Sequence, residues 1–296
     1  NHPKTLRAIN NLALLYHHQE DYKRALPLYE DCLKISQIVF GENHYNTLIG
    51  MNNLAGLYHE QGEHGKALPL YKDSLRLHTS IFGEKHLHTL TAMGNLASFY
   101  KHQGEYSKAL LLFERCFRLS KASLGDHDSH TLLVMDRLAK LYGDLKDYEK
   151  ALPLHQECLR MSKVVLGDSH PQTLTSMNNL ASLYKDQGEV EKALLLLEEC
   201  LRIHKTVSQE SHPDTLTVMS NLAFLYKEQG QYLKALPLFE ECLKGRKIVL
   251  RENHPDTLDT LSEESLRMSK VVIGKNHPET LTSMNNLVHL YSNQGE

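Results

Sequence analysis

Apolar residues recur along this chain at intervals of three and four, in stretches separated by short polar breaks, which is the spacing of one-faced helices rather than of strands. Residues 171–208 show the unit most clearly. Leu174, Met177, Leu180, Ala181 and Tyr184 share one face of a first helix, predicted from Pro171 to Gln187. Pro171 suits the first helical position, where its missing N–H would have no intrahelical partner, and Gly188 suits the left-handed backbone that closes a helix. A second helix is predicted from Val190 to Ser208, with Ala193, Leu194, Leu197, Cys200 and Leu201 as its apolar face. In other copies Gly41, Gly83, Gly125 and Gly167 end that helix. Pro27, Pro69, Pro153 and Pro237 fall inside it, but close enough to its start that a mild bend rather than termination is expected.

The pattern is periodic. A His-x-x-Thr-Leu opening, or a close variant, begins at His2, His44, His86, His170, His212 and His254, always at multiples of 42 residues, with Asp128 in the one missing place. Asn10-Asn11-Leu12-Ala13 returns at Asn52 and Asn178, and Lys66-Ala67-Leu68-Pro69-Leu70 returns at Lys150 and Lys234. Such self-similarity makes the chain an array of helical hairpins rather than two globular domains. The small residues Ala13 and Ala25, with counterparts Ala181 and Ala193, would let the two helices of a hairpin approach closely. A lone hairpin has no complete core, and its neighbours supply the rest.

The expected organisation is six complete hairpins over residues 1–253, a truncated unit over 254–276, and the first helix of a further unit over 277–296. The truncation is visible because His277-Pro278-Glu279-Thr280-Leu281 follows His254 after 23 residues instead of 42. A single fused helix is predicted over residues 256–273. The fold class is therefore all-α, a solenoid of antiparallel helix pairs.

Composition narrows the chemistry. A net charge of -3 with mixed signs, and no basic block interleaved with aromatics, argues against a nucleic-acid partner. No apolar run is long enough for membrane insertion, and no signal or lipidation motif is expected. Cys32, Cys116, Cys158, Cys200 and Cys242 all occupy one place in the repeat, where Ser74 also stands, so they read as buried free thiols in a reducing, cytoplasmic compartment rather than as a disulfide framework. Of the 19 histidines, most of the repeated ones lie 42 residues apart at helix starts, too far apart to share an ion, so no metal site is predicted. No phosphate loop, strained nucleophile or paired catalytic acid appears, so neither a cofactor nor an enzyme activity is expected.

The 42-residue period, the Asn-Asn-Leu-Ala-x-Leu-Tyr core followed by Gln-Gly, and the Lys-Ala-Leu-Pro-Leu-Tyr segment resemble the tetratricopeptide repeats of kinesin light chains and nephrocystin-like proteins. That resemblance implies a right-handed superhelix with its first helices on the concave face. It also implies a protein-interaction scaffold that binds extended peptide segments of partner proteins, acidic ones among them, as a cytoskeleton-associated cargo adaptor would. The second asparagine of each pair resembles the family's peptide-contacting asparagine, which marks Asn11, Asn53, Asn95, Asn179, Asn221 and Asn286, with Arg137 as the departure.

The residues give these positions a rationale of their own. An amide offers both donors and an acceptor to the backbone of an extended peptide, although an asparagine here could equally brace a neighbouring helix. Three residues further on, Leu14, Gly56, Ser98, Lys140, Ser182, Phe224 and His289 vary as a recognition line would. Arg137 and Lys140, one turn apart, are the candidate site for a ligand carboxylate, and Phe224 is a candidate apolar contact. The alternative readings are a sensory or regulatory repeat region of a larger signalling enzyme or nucleotide-driven switch, and a structural spacer.

Overall fold

The computed structural model describes residues 3–19, 21–207 and 212–249. The truncated unit, the fused helix over 256–273, Asn286 and His289 lie outside the described residues. Among the described residues twelve helices follow one another in consecutive pairs: α1 Pro3–His18 with α2 Tyr22–Phe40, α3 Tyr45–Glu60 with α4 His64–Phe82, α5 Leu87–His102 with α6 Tyr106–Leu124, α7 Ser129–Asp144 with α8 Tyr148–Leu166, α9 Pro171–Asp186 with α10 Val190–Val207, and α11 Pro213–Glu228 with α12 Tyr232–Val249. No strand occurs among the described residues, so the all-α reading holds. The chain divides into two compact units, residues 1–145 with α1 to α7 and residues 146–296 with α8 to α12.

The repeated opening motif is a helix start. His44, His86, His170 and His212 stand at the N-cap, and the Nδ1 of each accepts the backbone N–H two residues on. Asp128 does the same with a carboxylate oxygen, which is why it can replace histidine. Capping satisfies one of the donors that a helix start leaves unpaired. The motif's threonine closes the junction from the other side: Thr47, Thr89 and Thr173 donate from their hydroxyls to the carbonyls of Gly41, Gly83 and Gly167, each at 2.8 Å. Gly41 itself has φ 86°, a left-handed turn that a side chain would strain.

The even-numbered helices run unbroken through their prolines. Pro27, Pro69, Pro153 and Pro237 each lie at the sixth residue of a helix that continues for three further turns or more. All four rings lie on the exposed side of their helices, away from the core.

In the first unit, α1 packs on α2, α3 on α4 and α5 on α6, and each even helix also packs on the next odd one. Ala13 and Ala25 are fully buried where α1 meets α2, and Tyr29 fills the flank at 1% exposure. In the second unit one core joins Leu174, Met177 and Ala181 of α9 to Ala193 and Cys200 of α10 and to Met219 and Phe239 beyond. The cysteines belong to these cores. Cys116, Cys200 and Cys242 direct Sγ at the carbonyls of Leu90, Leu174 and Leu216, at 3.3–3.5 Å. All five are free and buried, and burial raises the Cys116 thiol to about 11 and the Cys200 thiol to about 12. A thiol so poorly ionised is a packing group, not a nucleophile.

Candidate peptide-binding face

The second asparagine, the variable residue three places on and the last turn of the helix are spaced by three and four residues, so they share one face of each odd-numbered helix. The asparagines form part of a ladder between neighbouring odd helices. In the first unit Asn53 Nδ2 donates to Asn10 Oδ1 at 2.9 Å, and in the second Asn221 Nδ2 donates to Asn178 Oδ1 at 2.9 Å. The first asparagine of one hairpin is thus the acceptor for the second asparagine of the next. One donor of Asn53 and of Asn221 is committed to bracing, while the other N–H and the side-chain oxygen have no hydrogen-bond partner among the described residues. Asn11 is exposed and lines a cavity of about 510 Å³ with Arg7, Tyr45 and Asn46. Asn179 is half-buried and already engaged.

The ladder changes at α5 and α7. Gly94 stands where the first asparagine belongs, and the space above it holds Arg137: a Cβ on Gly94 would lie 3.7 Å from Nη1 of that guanidinium. Asn52 Oδ1, the acceptor expected for Asn95, is buried without a hydrogen-bond partner, so the half-buried Asn95 amide is not held as Asn53 is. Arg137 is half-buried and makes no hydrogen bond or ion pair with any described residue. Burial pulls its pKa below the ordinary arginine value, partly offset by Cys116 and Asp136. Arginine stays charged even so, and a guanidinium with five unused donors in a partly desolvated niche favours an anionic partner. Lys140, one turn further, is exposed.

Phe224 is less available than its sequence position suggests. It is half-buried, edge-on to Phe239 at 4.9 Å between ring centroids, with Lys227 Nζ 5.7 Å above its face.

Two sets of interactions escaped the sequence reading. The last turns of successive odd helices are bridged at an offset of 43 residues: His17 to Glu60 at 2.6 Å, His59 to His102 at 2.8 Å and Lys101 to Asp144 at 2.7 Å in the first unit, and Lys185 to Glu228 at 2.8 Å in the second. Tyrosines of odd helices also clasp the preceding even helix. Tyr58 donates to Glu30 at 2.6 Å, Tyr142 to Glu114 at 2.5 Å and Tyr226 to Glu198. Burial, reinforced by the accepting carboxylate, raises Tyr58 and Tyr226 to about 12 and keeps them donors. The offset itself, one period plus one residue, was the available signal. Each bridge joins the residue on one helix to the residue one place further along its copy.

Among the described residues no group of three or more His, Cys, Asp and Glu side chains could hold a metal ion, and no helix is long and apolar enough to cross a membrane.

A family model described as tetratricopeptide repeat matches residues 4–80, 51–122 and 128–206, and a second with the same description matches 215–256. No curated protein matches the chain. Among solved structures, BtubC (BKLC) from P. vanneervenii superposes with a TM-score of 0.66 at 19% identity, covering 79% of this chain and 94% of that one. A Podosopora anserina putative kinesin light chain with nearly identical TPR-like repeats gives 0.58 at 24% identity, covering 69% of this chain and 97% of that one. The tetratricopeptide repeat sensor protein of the signal transduction ATPase (STAND) class from Pyrococcus horikoshii gives 0.66 at 16% identity, covering 97% of this chain and 41% of that one. At these identities the likeness is one of fold.

Proposed function

Because the chain belongs to the tetratricopeptide repeat family, whose models match most of its length, we propose that it is a non-catalytic protein-interaction scaffold that takes extended peptide segments on the faces of its odd-numbered helices. The observation that carries this reading is Arg137. A charged side chain drawn into a partly desolvated niche over Gly94, with no partner among the described residues, costs folding energy that a bound carboxylate would offset. Arg137 anchors the acidic group, Lys140 adds unspecific positive potential, and Asn11, Asn53 and Asn95 offer amides to peptide backbone. In the second unit Asn179 and Asn221 take the backbone role, and Phe224 contributes at most the ring edge that Phe239 leaves uncovered.

Calorimetry with matched acidic and neutral peptides tests the assignment. Replacing Arg137 and Lys140 with serine is expected to weaken the acidic peptide more than the neutral one, by about 1–3 kcal/mol for loss of charge-assisted hydrogen bonds, and salt should shrink the difference. Replacing Asn179 and Asn221 with alanine should weaken both peptides alike. Wild-type affinity in every folded variant would place the interaction on another surface.

Two finer readings remain distinguishable. The resemblance in fold to the Podosopora anserina putative kinesin light chain supports a cytoplasmic, cytoskeleton-associated cargo adaptor. The resemblance over nearly the whole chain to a protein whose repeats are named a sensor supports a regulatory region of a signalling protein. Crosslinking of the chain within its parent protein separates them: contacts to an attached nucleotide-binding domain favour regulation, and contacts to cargo favour the adaptor.

A further inference from the structure

The 43-residue bridges of the first unit occupy equivalent places but differ in chemistry. Lys101 and Asp144 stand one period beyond His59 and His102, and they form an ion pair at 2.7 Å. His17 and Glu60 pair an imidazole with a carboxylate. Only the middle bridge faces one imidazole with another, His59 Nε2 against His102 Nδ1 at 2.8 Å, rings stacked at 20° with centroids 5.1 Å apart. At that distance one nitrogen must carry a proton and the other must not. The bridge therefore accepts one added proton without loss, since an imidazolium N–H still donates to a neutral imidazole. A second added proton leaves two N–H groups facing each other and two like charges in contact.

We propose that the His59–His102 bridge is a proton-controlled joint between the second and third hairpins, closed near neutral pH and opened by acid, and that opening it leaves two cations beside Lys140 on the peptide-binding face. The second clause rests on the function proposed above; the first stands on the bridge alone.

The surroundings set the direction. His59 touches Phe99 edge-on at 5.2 Å and faces His64 of α4 at 5.4 Å, and the Nδ1 atoms of His59 and His64 are buried without partners. Glu60 favours a charge on His59 against burial and the neighbouring imidazoles, but this carboxylate and those around it are already paired. Glu60 on α3 is taken by His17 of α1, Asp144 on α7 by Lys101 of α5, Glu63 by Lys66 of α4, and Glu105 by Lys108 of α6. Lys101 and Lys140 both oppose the charging of His102. Consistent with this, burial first and the neighbouring imidazoles second hold His59 below the ordinary histidine value, and burial with the two lysines holds His102 below it. The two rings titrate as a pair, so the opening step is the second protonation. Because His102 and Lys140 act on one another through space, the same protons that open the joint strengthen the field that an acidic peptide meets.

The test compares the wild-type chain with His59→Lys/His102→Asp, which installs the chemistry of the Lys101–Asp144 bridge at the same two positions. Amide hydrogen exchange, corrected for its intrinsic pH dependence, is followed from about pH 7.5 to about pH 5, across the histidine range. The last turns of α3 and α5 should lose protection in acid in the wild type and keep it in the double variant. An identical pH response in the two proteins overturns the joint. His102→Gln, which can still hydrogen-bond to His59 but cannot gain a charge, serves the same purpose if the double variant does not fold. Calorimetry with the acidic peptide is then run over the same range. Affinity that rises in acid for the wild type and stays level in the variant supports the coupling, and a level response in both overturns it. A peptide that binds at no pH overturns the proposed function, while the exchange result continues to decide the joint.

Discussion

His78 lies in the C-terminal part of α4 at 3% exposure, with Nδ1 2.8 Å from the carbonyl of Ser74, to which it donates. Ser74 holds the repeat position that is cysteine in the other five hairpins, and its hydroxyl sits 3.2 Å from the same nitrogen. Burial depresses the imidazole below its ordinary value. The hydrogen bond to Ser74 opposes that shift, and His88 and His86 nearby add to it. A histidine that protonates less readily folded than unfolded gives stability that is complete above about pH 6.5 and is lost as pH falls toward the folded value. Urea unfolding at about pH 7.5 and about pH 5.5, on either side of that value, should therefore show a lower midpoint in acid. His78→Leu keeps the volume without the titration and should narrow the gap between the two midpoints. An unchanged gap would mean that His78 already binds its proton in the fold.

At the scale of elements, the turn from odd to even helix closes on a residue with positive φ: Gly62 at 75°, Gly104 at 72°, Gly188 at 77° and Gly230 at 70°. Lys146 takes that place after α7 with φ 60°, among the described residues the one non-glycine with positive φ. The left-handed region brings Cβ against the following carbonyl, a cost that glycine avoids. Lys146→Gly should stabilise the chain by about 0.5–1 kcal/mol, the strain relieved less the extra entropy of an unfolded glycine. A raised denaturation midpoint with an unchanged circular dichroism spectrum checks it. Such turns show how far the sequence was readable. The helices, their glycine stops and the tolerated prolines were legible because apolar spacing and backbone restrictions are local. The histidine caps were half legible: the repeat placed these histidines at helix starts, but the bond from the backbone N–H two residues on to Nδ1 depends on a ring orientation that sequence does not fix. The asparagine ladder was half legible. The repeated amides were plain, but which of them spend a donor on a neighbouring helix depends on a register between helices that no single hairpin encodes. Arg137 stood out as a departure, yet the reason it fits, the missing side chain of Gly94, lies one period and one residue away.

For the molecule as a whole, the decisive fact is that contacts run between helices adjacent in sequence and between consecutive odd helices within a unit. Stability is then close to a sum of hairpin terms and nearest-neighbour interfaces, and a local defect need not unfold everything at once. Ala193 provides the probe. It is fully buried where α9 meets α10, among Met177, Ala181 and Leu197 in the core of the second unit. Ala193→Leu adds three carbons to a fully buried site and should cost about 1–3 kcal/mol, less if the helices shift apart. In a single cooperative globule that loss would lower the protection of every slowly exchanging amide. Here hydrogen exchange should fall in α9, α10 and the flanking α11, while α3 and α5 in the first unit keep their wild-type protection. Uniform loss across both units would show that the chain unfolds as one body, and no loss at all would show that the α9–α10 contact is looser than full burial of Ala193 implies.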